Sequence, residues 1–393
     1  MSTATRPRLR TVAVCVLASL VTACSSDDGP STRTQTSVTS TAPSSEPAGP
    51  EEKVEDVLSG LDRRAQVAQL FVAGVPLDDL GSGDDLVRSG IGGLFLAGRS
   101  EAPGGELAAT AARWQSQSPG PGLWVAVDQE GGDVQALKGP DFGRLPSALD
   151  QAALPPAELA ALAEDMGTAL HDAGINLDLA PVADVVPPGT EAANPPIGAY
   201  DRHYGGTPES VTAAAGAVID GLAKAEVTAT LKHFPGLGRV RDNTDTTADV
   251  SDPDTTADDA QVALFADLAD SPAAPFVMVS SATYPRIDPA AQAAFSSVVL
   301  TDLLRRRLGF DGVVISDDLG NARAVQDLPP GERAVRFLAA GGTLVLTVEP
   351  AIVPGMIDAV LQRDQTDPAF AATLDDAVRT ALLAKERAGL LPG

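Results

Sequence analysis

The chain of 393 residues has 44% hydrophobic residues, a formal net charge of -25 at pH 7 and two cysteines. The hydrophobic share is ample for a large core and excludes a disordered chain. The acidity excludes nucleic acid as a partner, because a field of that sign repels phosphates.

At the N-terminus Arg6, Arg8 and Arg10 precede an apolar run from about Val12 to Val21, which leads into Val21-Thr22-Ala23-Cys24. This is the pattern of a bacterial signal peptide; the run is too short to span a bilayer comfortably. Its end resembles the lipoprotein signal box. That resemblance implies a signal over residues 1–23, lipid on the Cys24 sulfur, and an extracytoplasmic protein anchored to the cell membrane. An ordinary secretory signal or a short membrane anchor is the alternative. Cys15 leaves with the signal and Cys24 is acylated, so no disulfide is expected in the mature chain. Residues 24–50 are mostly Ser, Thr, Pro and Gly, too polar to offset their ordering entropy, and are read as a disordered tether.

The folded part is expected over 51–393. It opens with VEDVLSGLDRRAQVAQL, whose apolar residues recur at helical spacing. Eight β-rich runs follow, separated by Ala-rich helical stretches: QLFVAG, GGLFLAG, LWVAVD, LDLAPVADV, TATLKHF, FVMVSS, GVVISDD and TLVLTV. Strands alternating with helices predict a parallel sheet, and near-continuous apolar runs predict that both its faces are buried. The expected fold is α/β, a (β/α)8 TIM barrel forming one catalytic domain. A doubly wound open sheet is the alternative, but no Gly-x-Gly-x-x-Gly follows the first strand.

In such a barrel the site forms at the C-terminal ends of the strands. Polar residues stand there: Asp128, Asp184, Lys232-His233 and Asp317-Asp318. A carboxylate at Asp317 can attack an anomeric carbon and form a covalent glycosyl-enzyme. Asp128, Asp184 and Asp317 also form a possible set of oxygen donors for a metal, although no histidines lie at ligand spacing. A helix-capping role suits Asp318 better than Asp317. Lys232 and His233 are adjacent on an extended segment, so both reach one site only where the strand bends; Phe234-Pro235-Gly236 is the expected bend.

The motifs AQLFVAG, IGGLFLAGR, VAVDQEGGDVQ, INLDLAPVADV, LKHFPGLGR, LLRRRLGFDGVVISDDLG and AVRTALLAKERAGLL resemble, in this order, glycoside hydrolase family 3, most closely its bacterial β-N-acetylglucosaminidases of the NagZ type. The resemblance implies Asp317 as nucleophile and Asp128, Arg202, Lys232 and His233 as hydrogen-bonding partners of the sugar, with no cofactor or metal. Arg202 is matched through IGAYDRHYG. Family members that cleave β-glucosides or β-xylosides take their acid/base from an added C-terminal domain. Gly393 lies just past the last expected barrel helix, which favours the single-domain branch.

One loop departs from the family pattern. After KHFPG the family has His-Gly, four variable residues and Asp-Ser-His, the last histidine being the acid/base. Here the spacing gives Leu237-Gly238 and Asn243-Thr244-Asp245, so Asp245 stands in its place. Asp245 can replace it if burial or a neighbouring carboxylate, Asp242 or Asp317, raises its pKa. Asp133 and Ala136 stand where the family has arginines, Ser281 where histidine is frequent, and Thr343 where the family has Asp; all four changes are expected around the pocket. The expected activity is retaining hydrolysis of terminal β-N-acetylglucosamine from peptidoglycan fragments. The alternatives are a slow transfer-type enzyme, a sugar-binding lipoprotein and a β-glucosidase-like hydrolase.

Overall fold

A computed structural model describes residues 49–392. The signal sequence, Cys24 and the tether up to residue 48 lie outside the described residues. All eight predicted runs form strands: β1 Phe71–Pro76, β2 Gly93–Ala97, β3 Trp124–Val127, β4 Leu177–Asp178, β5 Thr230–Phe234, β6 Phe276–Val279, β7 Val314–Ser316 and β8 Val345–Thr347. Parallel ladders join β8, β1, β2, β3 and β4 into one arc, and β5, β6 and β7 into another. Parallel bridges Leu177–Thr228, Val182–Lys232 and Ile315–Leu344 close the two seams. The result is the (β/α)8 barrel.

The strands are almost wholly buried, because side chains fill the barrel on one face and helices cover the other. These helices are α3 Asp84–Arg88, α4 Gly104–Gln117, α5 Pro156–Asp172, α6 Pro208–Lys224, α7 Ala260–Ala269, α8 Val298–Arg307, α9 Pro330–Ala339, α10 Val353–Thr366 and α11 Pro368–Arg387. Before β1 the single helical pattern divides into α1 Pro50–Gly60 and α2 Arg63–Ala68. Asp62 causes the break: its carboxylate accepts the Ala65 N–H at 2.8 Å and caps the second helix. No helix among the described residues is long and apolar enough to cross a membrane.

Two local departures bear on the site. The fourth run pairs as a ladder only over Leu177–Asp178, since Pro181 has no N–H to give; beyond it Val182 bridges to Lys232. In β5 the register against β6 shifts between Lys232 and Phe234. The irregularity that re-aims side chains thus falls at Lys232-His233 itself, inside the strand, rather than at Phe234-Pro235-Gly236 as expected.

At the opposite end of the barrel, Thr343 precedes β8. Its hydroxyl accepts hydrogen bonds from Val314 N–H at 3.2 Å and Arg305 Nη2 at 3.1 Å. The expectation that Thr343 borders the pocket is therefore corrected: it stands at the N-terminal end of its strand, tying β7 to β8.

Candidate active site

The C-terminal ends of the strands surround a pocket of about 350 Å³. It gathers all six predicted residues: Asp128 just past β3, Arg202 from the loop after β4, Lys232 and His233 of β5, Asp245 from the loop after β5, and Asp317 just past β7.

Its floor is an ion-pair network. Lys232 Nζ lies 2.7 Å from Asp128 Oδ1 and 2.6 Å from Glu130 Oε1. Arg202 grips Glu130 with both arms of its fork, Nε to Oε2 at 2.8 Å and Nη2 to Oε1 at 2.7 Å. Burial alone would raise the Glu130 pKa, but the charges of Arg202 and Lys232 outweigh it and hold the carboxyl at about 2. Burial likewise opposes the charge on Lys232 and on Arg202. The facing carboxylates win and raise both pKa values. The result is a fixed, ionised set of groups suited to strong hydrogen bonds with sugar hydroxyls.

Sequence reasoning alone does not reach Glu130. It sits in VAVDQEGG beside the chosen Asp128, and its partner Arg202 is distant along the chain. The signal available was an acidic residue within a Gly-rich stretch directly after a strand. Nor does it reach Asp178, buried at the end of β4. Its Oδ1 accepts the Gln129 N–H at 3.0 Å, while burial pushes its pKa up to about 8.

Asp184 anchors the next part of the wall. Its Oδ2 lies 2.8 Å from His233 Nδ1, and its Oδ1 accepts the Leu237 N–H at 2.6 Å. Asn194 Nδ2 donates to the carbonyls of Leu237 and Val240, each at 2.8 Å. Gly238 passes so near Val185 that an added Cβ would meet its carbonyl oxygen, which explains the glycine there. With Asp184 turned to His233 and Asp128 to Lys232, two of the three candidate metal donors are engaged elsewhere. Among the described residues no cluster of three or more His, Cys, Asp or Glu side chains is arranged to hold a metal ion.

Asp317 follows β7, its N–H donating to Val279 O at 3.2 Å and its Oδ1 accepting the Asp318 N–H at 2.8 Å. Asp318 serves the backbone, accepting N–H groups from Gly320, Val348 and Asn321 at 2.8–2.9 Å. It caps no helix, contrary to the role expected of it, since the next helical turn begins only at Arg323; it holds a turn and ties it to Val348 instead. Asp245 stands at the exposed rim facing Asp317. Shielding by the pocket wall, then the negative charge of Asp317, pushes its pKa up to about 6, while His233 and Arg202 pull it down. Asp318 adds to the rise.

The Asp245 loop is stitched to the loop that follows Asp317: Arg323 N–H donates to Asp245 O, and Ala324 N–H to Thr244 O, both at 3.0 Å. Asp133 and Ala136 border a cleft beside Asp128. Ser281 is buried past the end of β6, its hydroxyl without a protein partner.

A closed (β/α)8 barrel with the carboxylates Asp245 and Asp317 and the cations Arg202 and Lys232 at its mouth has a glycosidase-type architecture. The sequence matches the Glycosyl hydrolase family 3 N terminal domain over residues 64–382, and the chain belongs to that family. The chain is 33% identical over 374 residues to the Beta-hexosaminidase LpqI of Mycobacterium tuberculosis, covering 90% of this chain and 91% of that one. It is 32% identical over 300 residues to a Beta-hexosaminidase of Stenotrophomonas maltophilia, covering 74% and 86%. The crystal structure of a Beta-N-acetylhexosaminidase from Beutenbergia cavernae superposes with a TM-score of 0.80 at 46% identity, covering 83% of this chain and 99% of that one.

Proposed function

We propose that this protein is a retaining β-N-acetylhexosaminidase that removes terminal β-linked N-acetylglucosamine, with Asp317 as nucleophile and Asp245 as acid/base. The observation that carries the reading is the pairing of Asp245 and Asp317 in one pocket, with the Asp245 pKa raised to about 6 by its surroundings. Two carboxyl groups held at different proton affinities divide the work of acid and nucleophile. Asp317 attacks C1 as the bond from C1 to the leaving oxygen breaks, and Asp245 gives that oxygen its proton. Asp245 then takes a proton from water as the water attacks C1 and frees Asp317. Asp128, Arg202, Lys232 and His233 hold the sugar hydroxyls through charge-assisted hydrogen bonds. The hexosaminidases among its relatives support the substrate class.

The same reading takes peptidoglycan fragments as the natural substrate and residues 1–23 as a lipoprotein signal leaving lipid on Cys24. The test of the chemistry is turnover of aryl β-N-acetylglucosaminide beside aryl β-glucoside, by the wild type, Asp317→Ala and Asp245→Asn. Release from the first substrate, lost in Asp317→Ala, supports the proposal. No release of either aglycone defeats it. Mass spectrometry of the protein from membrane fractions tests the anchor; an unacylated Cys24 removes it.

A further inference from the structure

We infer that Asp178, buried behind the sugar site, is a positioning residue that works as a neutral carboxylic acid: it holds the Asp128–Glu130 segment in place without adding a third negative charge to it. This rests on the hexosaminidase reading above, through the sugar-binding role given to Asp128 and Lys232.

The placement follows from the strand. In the ladder of β3 with β4, Val127 stands beside Asp178. Successive side chains on a strand point to opposite faces, and Leu179, next along the chain, lines the pocket while Asp178 does not. The carboxyl of Asp178 therefore lies behind the wall that the substrate meets, fully buried. Its Oδ1 accepts, at 3.0 Å, the N–H of Gln129, the residue that separates Asp128 from Glu130. The Gln129 side chain in turn exchanges two hydrogen bonds with the backbone of Leu137, each at 3.0 Å. Gln151 Nε2 donates to Glu130 O at 2.8 Å. These contacts fix the two carboxylates that hold Lys232.

The surrounding charges decide its protonation. Facing Asp178 are Asp128 and Glu130 on the loop after β3, Lys232 on β5 and Tyr204 on the loop after β4. Both cations of the network are already matched: Lys232 Nζ lies 2.7 Å from Asp128 and 2.6 Å from Glu130, and Arg202 grips Glu130 with two hydrogen bonds. Asp178 Oδ2 has no hydrogen-bond partner among the described residues. An ionised Asp178 would be a buried charge with no cation of its own, which costs far more than one unpaired polar atom. Burial accordingly pushes its pKa up to about 8; the Gln129 N–H and Lys232 oppose the rise, and Asp128 and Glu130 add to it. Above that value the residue ionises, repels Glu130 and competes for Lys232, and the grip on the sugar weakens.

The experiment measures N-acetylglucosamine binding by calorimetry on the full chain, in the wild type, Asp178→Asn and Asp178→Ala. Wild-type affinity is expected to fall about tenfold between about pH 7 and about pH 9.5. Asp178→Asn keeps an acceptor for the Gln129 N–H and cannot ionise, so its affinity stays within about twofold of wild type at neutral pH and is flat above it. Asp178→Ala loses the acceptor and is expected to bind about tenfold more weakly throughout. Should circular dichroism show that Asp178→Ala does not fold, the comparison of wild type with Asp178→Asn decides alone. Lys385 titrates in the same range from the base of the barrel, but it is present in all three proteins, so only the fall that Asp178→Asn removes is assigned to Asp178. An equal fall in Asp178→Asn, wild-type affinity in a folded Asp178→Ala, or no binding by the wild type overturns the inference. Release of aryl alcohol from an aryl β-N-acetylglucosaminide by the wild type is scored separately. Its absence defeats the hydrolase proposal and leaves the binding comparison intact.

Discussion

With Asp245 as the proposed acid/base, a carboxyl takes the place of an imidazole, which changes the pH range of proton donation. An acid with a pKa of about 6 donates only below that value. The kcat/KM for aryl glycosides with poor leaving groups is therefore expected to fall as pH rises through about 6. Asp245→Asn removes that limb and lowers the rate on such substrates by about 10²–10⁴-fold, with a smaller loss for activated leaving groups. A pH-rate profile unchanged by Asp245→Asn removes this residue from the chemistry. Glu130 is the second residue on which the site turns. Glu130→Gln leaves two buried cations short of a partner and is expected to cost about 3–5 kcal/mol, read by urea unfolding, together with a raised KM. Because the folded pKa of Glu130 lies below its ordinary value, its stabilisation is complete above about 4.5 and is lost as pH falls toward 2.

Among the elements, α11 carries an unusual burden. Lys385 is fully buried against the base of the barrel, its Nζ donating to Gln69 Oε1 at 2.6 Å, and burial drives its pKa down to about 7. The unfolded chain holds this proton up to about 10.5 and the folded chain releases it near 7. Stability from this group therefore grows as pH rises between those values. The rise in Tm from pH 7 to pH 10 is expected to be smaller in Lys385→Met than in the wild type; equal slopes contradict the assignment. The loop after β5 depends on another buried group, Asn194, which satisfies two of its carbonyls. Asn194→Ala is expected to lower Tm and to reduce kcat/KM by about tenfold or more, since the Asp245 loop loses its support.

Over the whole molecule, the strands and their order were legible because each is a short apolar run between helical stretches. The residues at their ends were legible because barrel geometry places them at one mouth. What stayed hidden has a common physical cause: sequence spacing gives positions but not partners. Glu130 became visible only when folding brought Arg202 and Lys232 against it. Thr343 looked like a pocket residue until the strand direction placed it at the far end. The short ladder of β4 depends on one missing N–H at Pro181, and the bend in β5 on its register against β6. Net charge is another whole-molecule property. With -25 formal charges, self-repulsion loosens the fold, so Tm at neutral pH is expected to rise when about 0.5 M sodium chloride screens it. A Tm independent of salt would show that local pairing has already neutralised the effect.

The two backbone hydrogen bonds that join the Asp245 loop to the Arg323–Ala324 segment also matter for inhibitor design. They cross-brace the rim between the two carboxyl groups, so a compound entering the pocket meets a mouth of set width. A cationic sugar mimic that reaches both carboxyls matches this mouth.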